Sequence, residues 1–313
     1  MRTAATNRRE YRLYQAALAV SNRLPFWLLQ QLGAAVGVGY LLLSSRRATV
    51  FGNLRRVFPQ RSRIWRLRIG LQCAAHFGSV AFDYLKWSQA SAETLDANVK
   101  VTGVENLREA VARGKGAFVL SAHFGHWEVA ALWMAAHGLR QTVVIRPLDN
   151  PLLEAELAVA RTRFGNELIP KHGATRGMLK ALRRGGIIDI LLDQKTDLDQ
   201  CVVVDFLGIP TPTVQSLAKM VLATGAAVVP LFTFPRGSCY DVRIDPALPV
   251  ASEDTPTTLT ARYNAVVSRE ILARPELWLW FHNRWTPRSR RGFRPQSTND
   301  ASAPETKSDE AVR

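Results

Sequence analysis

The segment Ser121-Ala122-His123-Phe124-Gly125-His126-Trp127-Glu128 sets an imidazole and a carboxylate five positions apart. It follows the apolar residues 117–120 and precedes Val129-Ala130-Ala131-Leu132-Trp133-Met134. On one continuous helix this spacing puts the two side chains on different faces, whereas a strand-to-helix turn loosened by Gly125 brings them together. A carboxylate bonded to one imidazole nitrogen fixes the tautomer and raises the basicity of the other. Such an imidazole takes the proton from an alcohol as it attacks a thioester carbonyl, so the substrate hydroxyl is itself the nucleophile. His123 is thus the candidate general base and Glu128 its orienter. Two readings compete on spacing alone: a structural histidine at a helix start, or a metal held by His123, His126 and Glu128. The glutamate does not directly follow the first histidine, as it does in zinc proteases, and no further ligand cluster is evident. No metal or cofactor is expected.

The elements that must position this segment follow from the hydrophobic pattern. Short apolar strands are expected at residues 99–101, 117–121, 142–145, 187–192, 202–206, 227–234 and 240–244. Helices are expected at 105–112, 127–137, 152–164, 175–183, 214–223 and 257–273, the last starting just after Pro256. The alternation predicts an α/β fold, a mixed and mostly parallel sheet flanked by helices. Residues 46–88 read as mostly helical. Residues 24–45 carry no charge, a run of 22 that as a helix would reach about 33 Å. Trp27 and Tyr40 sit near its ends, but Gln30, Gln31, Gly33, Gly37 and Gly39 interrupt it, and arginines flank both sides. The expectation is a helical membrane anchor, embedded or interfacial, with a buried core hairpin as the alternative. A cleaved signal peptide is not expected. The organisation predicted is a basic membrane-associating segment at 1–60, a catalytic domain at 61–294 and a disordered tail at 295–313.

The formal net charge is +15. Residues 1–68 hold thirteen Arg and one acid, Glu10, or 13 − 1 = +12 of it. Arg284, Arg288, Arg290, Arg291 and Arg294 form a second cluster. Such regions attract anionic lipid, nucleic acid or acidic proteins. No helix-turn-helix, zinc-finger or RNP-type motif is present, so nucleic acid is not the expected partner. Cys73, Cys201 and Cys239 are widely spaced, which suits reduced thiols facing the cytoplasm.

Several segments in order resemble one family. His123-Phe124-Gly125-His126-Trp127-Glu128 is similar to the histidine–four–acid motif of the bacterial lipid A late (lauroyl and myristoyl) acyltransferases. These belong with the glycerolipid acyltransferases and the mycobacterial phosphatidylinositol mannoside acyltransferases. Arg146-Pro147-Leu148-Asp149-Asn150-Pro151, Arg161-Thr162-Arg163-Phe164-Gly165, Asp193-Gln194, Phe206-Leu207-Gly208 with Thr213, and residues 224–230 match further family segments. So do residues 275–285, with Trp278, Trp280, His282, Arg284 and Trp285, and the pairs Asn53-Leu54 and Phe58-Pro59. The resemblance covers roughly residues 10 to 290. His126 stands where the family usually has Asn, and Glu128 matches the lipid A enzymes, whereas the mycobacterial relatives tend to have Asp.

The resemblance implies an O-acyltransferase that moves a fatty acyl group from acyl carrier protein or acyl-CoA to a hydroxyl of a lipid A precursor. The place implied is the cytoplasmic face of the inner membrane. Another glycolipid acceptor, or a non-catalytic lipid binder on the same fold, is the alternative. Arg146, at a strand end, is expected to bind phosphate or support an oxyanion. Asp193 is expected to orient Arg146 or a substrate group, or to cap a turn; Gln194 to bind sugar hydroxyls; Arg161 and Arg284 to bind phosphate. The tryptophans of 275–285 are taken as packing residues, and His76, His137 and His172 are given no role. The oxyanion donors are expected near Gly125 or the following helix start.

Overall fold

Helix α1 (Ala4–Ser21), α2 (Phe26–Leu43), α3 (Arg46–Val57), α4 (Arg63–Trp87) and α5 (Ala92–Asn98) precede the first strand in the computed structural model, which describes residues 3–171, 173–195 and 200–285. His172, the expected tail and Arg288, Arg290, Arg291 and Arg294 lie outside the described residues.

Alternating strands and helices follow: β1 (Val99–Thr102), α6 (Val104–Ala112), β2 (Ala117–Ser121), α7 (Trp127–Ala136), β3 (Gln141–Ile145), α8 (Pro151–Thr162), β4 (Glu167–Pro170), α9 (Ala174–Arg183) and β5 (Ile187–Leu191). The hairpin β6 (Cys201–Phe206) and β7 (Ile209–Val214) forms a separate antiparallel pair. Helix α10 (Ser216–Thr224), β8 (Ala227–Arg236), β9 (Cys239–Ile244) and α11 (Pro256–Ala273) complete the order, followed by a 3-10 turn at Pro275–Leu277. The seven-stranded sheet runs β1-β9-β8-β2-β5-β3-β4. Only β8 and β9 pair antiparallel within it.

The mostly parallel α/β sheet is therefore present. Strand β2 is buried throughout, as a central parallel strand covered on both faces must be. Its residues alternate between two cores. Phe118 and Leu120 pack with α9, α10, α11 and the 278–280 segment, while Ala117 and Val119 pack with α6 and α7. Two strands escaped the sequence pattern. Strand β4 is only four residues long, and β7 carries Pro210 and Pro212, which ordinarily argue against a strand and are tolerated in this two-stranded hairpin. Helix α11 begins as expected at Pro256, with Thr255 and Thr258 closing a capping box.

The uncharged run forms one helix, α2, with mean hydropathy 1.5 over 18 residues and only 22% of that window buried. One side lies against α4 so closely that a Cβ on Gly33 would stand 2.3 Å from the Gly78 carbonyl oxygen. Gln30 sits on that side. Its Nε2 donates to Asp83 Oδ2 (2.8 Å), and its carbonyl accepts from Ser79 Oγ (2.7 Å). The other side exposes Trp27, Leu32, Val36, Tyr40 and Leu43. The expected division near residue 60 falls between α3 and α4, which pack in one core through Val50, Leu54, Ile69 and Cys73.

Candidate active site

Strands β2 and β5 pair in parallel with Ser121 opposite Leu191. The backbone then continues two residues past each strand, to His123 and to Asp193. Equal overhang from paired parallel strands brings these two together at the carboxyl edge of the sheet, where open α/β sheets build their sites. His123 Nδ1 donates to Asp193 Oδ1 at 2.9 Å, and the His123 backbone N–H donates to Asp193 Oδ2 at 3.1 Å. Trp278 Nε1 donates to the same Oδ2 at 2.7 Å. Asp193 is buried, so each lone pair it turns to a donor matters. Burial alone would raise its pKa, but His123 and the N–H donors outweigh this and hold it below the usual carboxylate range. Burial alone would lower the imidazole pKa, and the Asp193 charge and hydrogen bond outweigh that too, leaving His123 raised.

The expected partner of His123 was Glu128; the structure puts Asp193 there. Glu128 lies in the first turn of α7 and is held by Arg161 of α8, whose Nε is 3.2 and 3.1 Å from the two carboxylate oxygens and whose Nη2 bonds Oε1. With both oxygens engaged in this fork, Glu128 acts on His123 by its charge and not by a hydrogen bond. Asp193 makes no contact with Arg146 among the described residues; its oxygens accept from His123 and Trp278. With His123 Nδ1 donating to Asp193, Nε2 is left as the acceptor. The Gln194 amide nitrogen sits 2.8 Å from it, at the exposed lip of the site. Trp127 packs edge-on against the imidazole, ring centroids 4.9 Å apart.

The turn between His123 and α7 is fixed from several sides. Gly125 adopts φ +59°, and its N–H donates to Leu277 O at 2.9 Å. His76, kept neutral by burial that lowers its pKa to about 4, donates from Nε2 to Gly125 O at 3.2 Å. The Leu279 N–H donates to His123 O at 3.0 Å, and Phe124 bridges to Trp278. Because the Gly125 N–H is engaged, it is not available to an oxyanion. His126 turns away from His123. Its Nδ1 caps α7 by accepting from Val129 N–H (3.3 Å), and its Nε2 faces buried Asp83 Oδ1 at 3.2 Å. Asp83 Oδ2 accepts from Tyr240 OH at 2.6 Å as well as from Gln30.

Arg146 is exposed just past β3. Arg284 is buried: Nη1 donates to Pro212 O (2.8 Å), Nη2 to Thr213 Oγ1 (3.0 Å), and its guanidinium lies over Phe206. Burial lowers its pKa to about 10. It braces the β6–β7 hairpin, and the expected phosphate contact has no open face to form on. Trp278 packs in the core as expected, but sequence reasoning missed its bond to Asp193, and it missed Asp189 altogether. Burial, and secondarily the charge of Glu128, pushes the Asp189 carboxyl on β5 up to about 7; one of its oxygens is shut from solvent and unpaired. A charged residue inside an otherwise apolar strand was the available signal. Lys195 N–H donates to His282 Nε2 at 3.0 Å, tying the chain after Gln194 to the same closing segment.

A profile of the family described as bacterial lipid A biosynthesis acyltransferase matches residues 3–287. A lipid A biosynthesis acyltransferase of Haemophilus influenzae is 25% identical, covering 82% of this chain and 81% of its own. A lipid A biosynthesis lauroyltransferase of Escherichia coli is 27% identical, covering 85% and 88%. A phosphatidylinositol mannoside acyltransferase of Mycobacterium tuberculosis is 28% identical over 59% of each.

Proposed function

The chain belongs to the bacterial lipid A biosynthesis acyltransferase family, and on that premise we propose that it moves a fatty acyl group from a thioester to a hydroxyl of a lipid A precursor, with His123 as general base. The observation that carries this is the His123–Asp193 contact at 2.9 Å, which leaves Nε2 as the acceptor at the site's lip. The acceptor hydroxyl takes the place of the Gln194 amide at Nε2. As its oxygen attacks the thioester carbonyl, the proton passes to His123, and Asp193 stabilises the imidazolium that forms. Collapse of the tetrahedral intermediate breaks the carbon–sulfur bond, and His123 returns the proton to the leaving thiolate. No enzyme nucleophile is needed. The Cys73 thiol, which donates to Trp278 O at 3.2 Å, is buried, and burial pushes its pKa to about 12, which suits it poorly for attack.

Glu128 and Arg161 form a rigid charged pair beside the base, positioning the acceptor and adding negative field at His123. Arg146 and Gln194 supply exposed polar contacts for a phosphorylated sugar. The exposed apolar side of α2, with its neighbouring arginines, seats the enzyme on the cytoplasmic face of the inner membrane, so that the amphiphilic acceptor arrives from the bilayer. Lipid A is favoured over phosphatidylinositol mannoside as the acceptor by the longer coverage of the lipid A relatives and by glutamate at position 128.

The test is incubation of the purified protein with carrier-protein and coenzyme A thioesters and a panel of amphiphilic acceptors, with mass spectrometry of the products. Acyl gain on a phosphorylated glucosamine lipid is the expected result, with His123→Ala lowering turnover by about 10³-fold or more while folding and binding vesicles normally. Transfer only to mannosides or lysophospholipids, or full activity in the variant, overturns the proposal.

A further inference from the structure

Helix α9 divides its residues more sharply than its neighbours do. Met178, Ala181 and Leu182 face the core, whereas Arg176, Lys180 and Arg183 are exposed at i, i+4 and i+7, one continuous stripe. The helix contains no acidic residue. None of the three cations makes an ion pair among the described residues; Arg184 at the helix end pairs with Glu167. The stripe is directed at the site. Helix α9 starts at the carboxyl edge of the sheet, just after β4, where the Lys171 N–H donates to Ile145 O (2.8 Å). That bond sets exposed Lys171 beside exposed Arg146, at the edge that carries His123. Arg146 and Lys171 thus continue the α9 cations toward the catalytic mouth.

Two features separate this surface from the membrane face. The membrane-facing helices mix arginines with exposed apolar side chains, Leu13 and Val20 on α1, Trp27 and Leu43 on α2, Ile64 and Leu67 on α4. The stripe on α9 contains no exposed large hydrophobic residue, so it has nothing to insert. It also runs about 10 Å from Arg176 to Arg183 along the helix, away from the mouth. That is a pattern for repeated carboxylates on a facing helix and not for a compact phosphate group.

We infer that α9, continued by Lys171 toward Arg146, is the docking surface for an acidic, helical carrier protein that delivers the acyl chain as a pantetheine thioester. This rests on the acyl-transfer reading above. Long-range attraction between the two surfaces raises the encounter rate and sets the carrier's register, with its thioester arm reaching over Arg146 toward His123.

The test uses the full-length protein and the triple variant Arg176→Glu, Lys180→Glu, Arg183→Glu. A second triple variant on the far edge of the sheet, Arg108→Glu, Arg113→Glu, Lys115→Glu, controls for net charge. Transfer is measured from a long-chain acyl carrier protein and from the same acyl group on pantetheine alone. The expected result is a KM for the carrier thioester raised about tenfold or more, with kcat kept. The salt dependence of kcat/KM should flatten, pantetheine-donor kinetics should not change, and the far-edge variant should match the parent. An unchanged KM, an equal effect on both donors, transfer from coenzyme A alone, or loss of vesicle binding by the α9 variant overturns the docking surface. Absence of transfer from every donor would instead sink the underlying reading. Anisotropy titration of labelled carrier protein then decides docking by itself: weakened binding in the α9 variant supports it, equal binding overturns it.

Discussion

In the proposed mechanism His123 is a base only while neutral, and Asp193 sets the pH at which that form prevails. The raised imidazole pKa places the acid limb of the pH–rate profile above 6.5, with activity falling as pH drops through it. Asp193→Asn removes the opposing charge. The limb should move to lower pH while the plateau of kcat falls by about 10²–10⁴-fold, a combination that a merely structural role would not give. Trp278→Phe leaves a smaller aromatic ring in the core and removes the N–H from which Asp193 Oδ2 accepts. A drop of roughly tenfold in kcat with little change in KM is expected, and Trp278→His, which restores a donor, should recover part of it. Asp189 offers a stability readout. Its carboxyl pKa is raised to about 7, so the folded state favours the protonated form and loses stability as pH rises through the window from 3.8 to about 7. Asp189→Asn should therefore raise Tm at pH 8 relative to the parent and change it little at pH 4, measured by thermal unfolding at both.

At the scale of elements, the strand-to-helix turn is the part whose geometry is least replaceable. A Cβ on Gly125 would stand 1.8 Å from Thr233 O, at a positive φ that L side chains avoid. Gly125→Ala should displace His123 and Phe124 and cut kcat by about 10²-fold, with Tm also lowered, a pairing checked by kinetics alongside unfolding scans. The sequence reading found this turn, and the ends of both β2 and β5, because each strand is a short apolar run with a polar break behind it. It gave His123 the wrong carboxylate partner because local spacing is visible in a chain and strand pairing is not. Glu128 is five residues from His123, but the α7 turn aims it at α8. Asp193 is seventy residues away, and only the β2–β5 register delivers it. The same limit explains Trp278. It read as a packing residue, and its indole N–H meets Asp193 only because the closing segment folds across the turn. Arg284 looked like a surface cation near a basic tail, and nothing local announced that Pro212 and Thr213 would enclose it.

Across the whole molecule, charge and apolar surface are arranged together. The first 68 residues carry +12 by sequence, and α2 among them exposes an apolar side, where Trp27 and Leu43 are 58% and 89% accessible. Burying such side chains in a bilayer is worth roughly 1.5–3 kcal/mol each. Trp27→Ser, Val36→Ser and Leu43→Ser together should release most of the protein from anionic vesicles in a co-sedimentation assay, and raising salt should weaken the remainder. The inner side of the same helix has a different consequence. Gln30 joins Asp83, Asp83 joins Tyr240, and His126 both faces Asp83 and caps the helix that carries Glu128. The hydrophobic N-terminal piece is therefore a wall of the catalytic unit and not a detachable tether. Trimming the chain back to residue 60 to obtain a soluble enzyme for crystallisation would strip that wall away, and the recovered fragment should aggregate where the intact polypeptide in detergent stays active.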